Sequence, residues 1–200
     1  MPKRRLGESL FSQLGDRSYP LNFLHHKGPK PNFLPDNQII YVFPITHQYW
    51  CGDVLVGQTA LNRMHVVQQI GENACVLGTA MMMALDFGAT RLNAKDAICN
   101  FGNELDIQRF LQQHNIRVKI LVASVDQIKN LLEHSSVALT VDDASIGKHS
   151  VILDYLDDKV AIIRDPYHAW QIVLSKEYFM QILSLRPNGK TKIVCHCQQK

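Results

Sequence analysis

Residues 66–88 read VVQQIGENACVLGTAMMMALDFG. Gly71 interrupts regular structure ahead of a long apolar segment, Asn73 is a good N-cap residue, and Gly88 is the stop. Between them Val76, Leu77, Ala80, Met81, Met82, Met83, Ala84, Leu85 and Phe87 cover nearly every direction, which predicts a helix buried on all sides. At about three turns it is too short to span a bilayer. Cys75 falls in its first turn, where unpaired N–H groups and the positive end of the helix dipole favour a thiolate over a thiol. A thiolate is a nucleophile. Gln69 lies a short loop upstream, and its side-chain amide can aim at the same spot as the Cys75 backbone N–H. Two donors converging beside a nucleophile make an oxyanion hole. On this stretch alone a second reading stands beside the first: a Cys in an apolar helix is ordinarily a small core residue.

The rest of the composition narrows the class. With 200 residues, 46% hydrophobic and 20% charged, the chain has material for one soluble domain with an extension. A net charge of +3 is too mild for nucleic acid to be the main partner. Lys3-Arg4-Arg5 reads as a solvated tail. No apolar run follows it, so no secretory signal peptide is expected, and nothing approaches the length of a membrane span. The expected location is the cytoplasm, or a destination reached by a route that needs no signal peptide. Five cysteines, an odd count, predict free thiols in a reducing compartment. Cys195-His196-Cys197 has no second Cys/His pair at zinc spacing, and alternate strand residues point to opposite faces. No metal site and no cofactor are expected.

Along the chain, residues 1–37 carry five of the eight prolines and read as an extended arm. The expected division is a Pro-rich extension over residues 1–60, packed on a domain of residues 61–200. Residues 38–43 read as a strand, while 53–64 show no usable period. Helices are expected over 94–101 and 104–113, then a strand over 117–123. Ser124-Val125-Asp126-Gln127 is a capping-box pattern opening a helix to about Glu133. Strands follow over 136–141, 149–155, 159–164 and 170–174. Ser175 caps a helix to Leu183, and 191–197 is a last strand. Helices first and then mostly hairpin-connected strands predict an α+β fold with an antiparallel sheet.

Leu156-Asp157-Asp158 is turn material between the strands at 149–155 and 159–164. His149 therefore begins one arm of a hairpin and Asp165 ends the other. A three-residue loop sets them opposite each other on one face. A two-residue loop turns them to opposite faces, because a one-residue slip flips every side chain. Their cooperation thus requires an odd-length turn or a bulge. A nucleophilic thiolate, a His to move the proton and a carboxylate to orient the His form triad logic. The plainer alternative is a strand-end His and an Asp-Pro turn former. His168 is a competing base, three residues past Asp165 and beyond the strand-ending Pro166.

Taken together, Gln69, Cys75, the helix ending at Gly88, His149-Ser150-Val151-Ile152-Leu153, and Asp165-Pro166 followed by Leu174-Ser175-Lys176-Glu177-Tyr178-Phe179 resemble a known family. It is the papain-like cysteine peptidase domain at the front of bacterial, bacteriocin-exporting ABC transporters, the double-glycine leader peptidases. The match runs over residues 64–185. The resemblance implies Cys75 as nucleophile, His149 as general base, Asp165 as its orienting acid and Gln69 as oxyanion donor, with Gln68 as the alternative donor. It implies cleavage of a peptide or protein substrate. Val76 stands where that family commonly has Gly after the nucleophile. No G-x-x-x-x-G-K-[ST] is present, so the expectation is a stand-alone peptidase and not a transporter. Two other functions use the same residues. A deamidase or transglutaminase-type acyl transferase forms the same thioester and differs in the acceptor. A non-catalytic peptide-binding module of the same fold has no need of Cys75, His149 and Asp165 together.

Overall fold

A computed structural model describes residues 38–69, 74–93, 102–143 and 147–197. In chain order the elements are β1 (Ile39–Val42), β2 (Ile45–Cys51), β3 (Val54–Thr59), β4 (His65–Val67), α1 (Cys75–Asp86), α2 (Glu104–Gln113), β5 (Val118–Ala123), α3 (Val125–Leu132), β6 (Val137–Asp143), β7 (Gly147–Leu156), β8 (Val160–Asp165), β9 (Trp170–Ser175), α4 (Lys176–Ile182) and β10 (Thr191–His196). The expected helix over 94–101 lies outside the described residues, as do residues 1–37. None of the described helices is long and apolar enough to cross a membrane.

The apolar run becomes α1, with every residue from Leu77 to Leu85 buried. It begins later than the Asn73 cap implied. Ala74 is the N-cap and offers no side-chain acceptor, and Asn73 lies outside the described residues. The far end closes as expected on a left-handed Gly88, φ +91°. Gly88 N–H donates to Leu85 O (3.0 Å) and Ala89 N–H to Ala84 O (2.9 Å), the paired bonds of a Schellman stop. The capping box at Ser124 and Gln127 is present. Ser175 caps α4 through Tyr178 N–H.

Seven strands form one antiparallel sheet in the order β1-β9-β8-β7-β6-β10-β5, and β2-β3-β4 form a second, smaller sheet. The large sheet separates two cores. On one face α1 packs with α2, the small sheet and Ile152. On the other, Val151 and Leu153 pack with Ile128 of α3 and Phe179 of α4. Burial on both faces is why Val151, Ile152 and Leu153 form an unbroken apolar run. The architecture is the expected α+β fold, a Cys-bearing helix on an antiparallel sheet.

The unreadable stretch at 53–64 is β3 and the turn after it. Gly52 (φ +66°) opens a two-residue turn between Cys51 and Val54. A Cβ there would sit 1.9 Å from Leu92 O. Asn62 and Arg63 are both left-handed, φ 58° and 54°, and Met64 N–H donates to Leu61 O (3.4 Å), the pair a type I′ turn requires between β3 and β4.

The β7–β8 hairpin differs in detail from the expected one. Asp157 Oδ1 accepts from the N–H groups of Lys159 and Val160, both at 2.7 Å. Asp157 N–H donates to Val160 O at 3.0 Å. These bonds set the turn proper at residues 158–159, an even loop rather than 156–158. Alone it would part His149 and Asp165 to opposite faces. A bulge between Leu153 and Tyr155 changes the register and restores the shared face. Beyond it Ile152 pairs with Arg164, which sets Val151 beside Asp165. His149 is thus a diagonal neighbour of Asp165, not directly opposite as expected. β7 also starts earlier, at Gly147, so His149 lies inside the strand.

Candidate active site

Cys75 is the first residue of α1, and Thr79 follows one turn later on the same side of the helix. Thr79 Oγ1 donates to the Ser150 carbonyl at 3.1 Å, so that side of α1 is fastened to β7 beside His149. His149 and the backbone N–H groups of Ser150 and Val76 face the half-buried Cys75 sulfur and favour its charged form. His149, itself buried, uses Nε2 to reach Asp165 Oδ1 at 2.6 Å. That leaves Nδ1 for the sulfur. Asp165 is the last residue of β8 and is fully buried.

Burial opposes every charge in this row, and the partners overturn it. Burial raises the Cys75 thiol, but the hydrogen bond and charge of His149 and the two backbone donors bring it below its ordinary value. Burial pushes His149 down, yet the Asp165 charge, the hydrogen bond His149 donates to Asp165 and the contact with Cys75 lift it to about 9. Burial likewise favours a protonated Asp165, while the charges and hydrogen bonds of His168 and His149 hold its carboxyl far below the usual range. A thiolate–imidazolium pair backed by a carboxylate is the state these interactions favour.

Gln69 is buried, and its backbone N–H donates to Pro166 O at 2.7 Å. Its Cβ stands 3.7 Å from where a Cβ on Gly78 would be, and Pro166 Cβ only 2.6 Å from that point. Gly78 thus lets α1, the Gln69 loop and the Asp165-Pro166 corner meet at backbone distance. Gln69 therefore lies against the first turn of α1. Gln68 is half-buried beside it. Residues 70–73 lie outside the described residues.

Sequence reading missed two features. His168 was weighed only as a competing base, and the structure sets its Nδ1 on the second oxygen of Asp165. The signal was present in Asp165-Pro166-Tyr167-His168, whose three-residue spacing folds back in a tight turn. Beneath the site, fully buried Arg164 pairs with Asp86 (2.7 Å) and Asp154 (2.9 Å). Asp154 also accepts from Ser136 Oγ at 2.6 Å and Gln171 Nε2 at 2.8 Å. Cys51, Cys75, Cys195 and Cys197 are all free thiols, with Cys51 and Cys195 buried; Cys99 lies outside the described residues. His196 stacks on Phe87 at 4.3 Å, and no group of His, Cys, Asp or Glu among the described residues is placed to hold a metal ion.

No family model and no curated protein matches the chain. Solved structures do. The peptidase domain of Streptococcus ComA, a bi-functional ABC transporter involved in a quorum-sensing pathway, superposes with a TM-score of 0.51 at 15% identity, covering 66% of this chain and 98% of that domain. A double glycine motif protease from an AMS/PCAT transporter, solved with its leader peptide, gives a TM-score of 0.45 at 16% identity, covering 66% of this chain and 91% of that one. At this identity the ComA likeness is one of fold: the chain is an α+β protein with the papain-like architecture of that peptidase domain.

Proposed function

We propose that this chain is a cysteine peptidase that cleaves a peptide bond of a peptide or protein substrate. The observation that carries the reading is the unbroken row from Cys75 through His149 to Asp165, with the sulfur at a helix start. The Cys75 thiolate attacks the scissile carbonyl carbon. The developing oxyanion is held by the Gln69 side-chain amide and the Cys75 backbone N–H, which has no intrahelical acceptor. The His149 imidazolium gives its proton to the leaving amine, and the C–N bond breaks to leave a thioester. His149, now neutral, takes a proton from water as the water attacks the thioester. Collapse releases the acid and restores the thiolate–imidazolium pair. Asp165 keeps Nε2–H pointed away from the sulfur and stabilises the charged ring.

The reading is tested without knowing the substrate. Iodoacetamide at about pH 6, where an ordinary thiol of pKa about 8.5 is unreactive, should alkylate native Cys75 much faster than Cys51, Cys99, Cys195 or Cys197. His149→Ala should abolish the advantage. Slow labelling of native Cys75, equal with and without His149, overturns the proposal. Once a substrate is found, Gln69→Ala should slow turnover about a hundredfold or more with the fold intact, the size of one oxyanion donor. Unchanged turnover would move that role to Gln68 or to backbone alone.

A further inference from the structure

The corner joining β8 to β9 is built tightly around Asp165. Asp165 pairs with Trp170 across it, and Ala169, fully buried, is left-handed at φ +55°, a conformation that alanine disfavours and that tends to persist where function requires it. The turn folds His168 back over the carboxylate. Oδ1 accepts from His149 Nε2 (2.6 Å) and Tyr167 N–H (2.9 Å). Oδ2 accepts from His168 N–H (3.4 Å) and from His168 Nδ1. The His168 ring is braced in turn, stacked on Trp170 (4.5 Å, 21°) and met by the edge of Tyr167 (5.1 Å, 67°).

We infer that His168 is a positioning residue of the catalytic pair, which by holding Oδ2 locks the Asp165 carboxylate with Oδ1 turned to His149. The inference rests on the peptidase reading above. With one imidazole on each oxygen, the carboxylate cannot rotate without breaking one of the two bonds. His168 therefore acts on Cys75 only through Asp165 and His149.

The test is the alkylation rate of Cys75 by iodoacetamide between about pH 5 and 9, measured with melting temperature for wild type, H149A, H168A and H168N. H168A should slow alkylation at about pH 6 roughly tenfold or more, the size of one hydrogen bond to a charged group. H168N, whose amide nitrogen stands where Nδ1 stands, should restore most of the rate. An H168A profile superimposable on wild type overturns the inference. A loss shared by H168A and H168N, with lowered melting temperature, also overturns it, because His168 then only holds the fold. Fast wild-type labelling that collapses in H149A keeps the peptidase reading intact in either event. Slow wild-type labelling indifferent to His149 removes that reading and this inference with it.

Discussion

Cys75 and His149 both stand where burial alone would leave them uncharged, and it is their mutual contact and Asp165 that decide otherwise. The sign of the pH dependence follows. His149 is raised from 6.5 to about 9 on folding, so the imidazolium's contribution is complete below about pH 6.5 and is lost as pH rises through about 9. The high-pH limb of kcat/KM should therefore fall near pH 9, where the general acid loses its proton. Asp165→Asn should pull that limb down toward the ordinary imidazole range near 6.5. A limb that stays near 9 in D165N would deny Asp165 its role. At this scale the chain was largely readable, because Cys75 and Asp165 mark element ends that Gly, Pro and apolar periodicity reveal, and His149 lies close to one. His168 was readable only as a residue three positions past Asp165 in an Asp-Pro turn, because its bond to the carboxylate is settled by the packing of its ring in the β8–β9 corner.

At the scale of elements, two adjustments bring the site together. The bulge near Asp154 returns His149 to the face of Asp165, and it leaves Asp154 to accept from Arg164, Ser136 and Gln171. Reading the hairpin from sequence identified the need for a bulge or odd turn but not which, since Asp157 binding two backbone N–H groups sets the turn. The second adjustment is the close approach at Gly78, where an added Cβ would be 2.6 Å from Pro166 Cβ. Gly78→Ala adds helix propensity worth about 1 kcal/mol, but overpacking of this kind costs about 1–3 kcal/mol. We expect a lowered melting temperature, and a loss of turnover larger than the stability change explains, because α1 is pushed off both Gln69 and the Asp165 corner. Wild-type turnover in G78A would show that the approach is not needed for the site.

Across the whole molecule, Arg164 joins the parts that carry the site. Its guanidinium bonds Asp86 at the end of α1, Asp154 on β7 and the His65 carbonyl on β4. His65 Nδ1 meets Asp86 Oδ1 at 2.9 Å, so the small sheet, the Cys-bearing helix and the large sheet share one ion network. Removing one partner of a buried pair strands the other charges, at about 3–5 kcal/mol. Arg164→Met should destabilise the protein by that amount in urea unfolding, and a change under about 1 kcal/mol would show the network idle. Local rules sufficed for the buried helix, the capped helices, the strands from residue 118 onward, and the choice of Cys75, His149, Asp165 and Gln69 as candidates. Those features rest on periodicity, caps and breakers, which act over a few residues. The strand order in space, the role of His168, the necessity of Gly78 and the Arg164 network came only with the tertiary structure. Each depends on which distant segments share a face or a corner, and on a bulge and two kinds of left-handed turn whose energies are settled by packing rather than by neighbours in the chain.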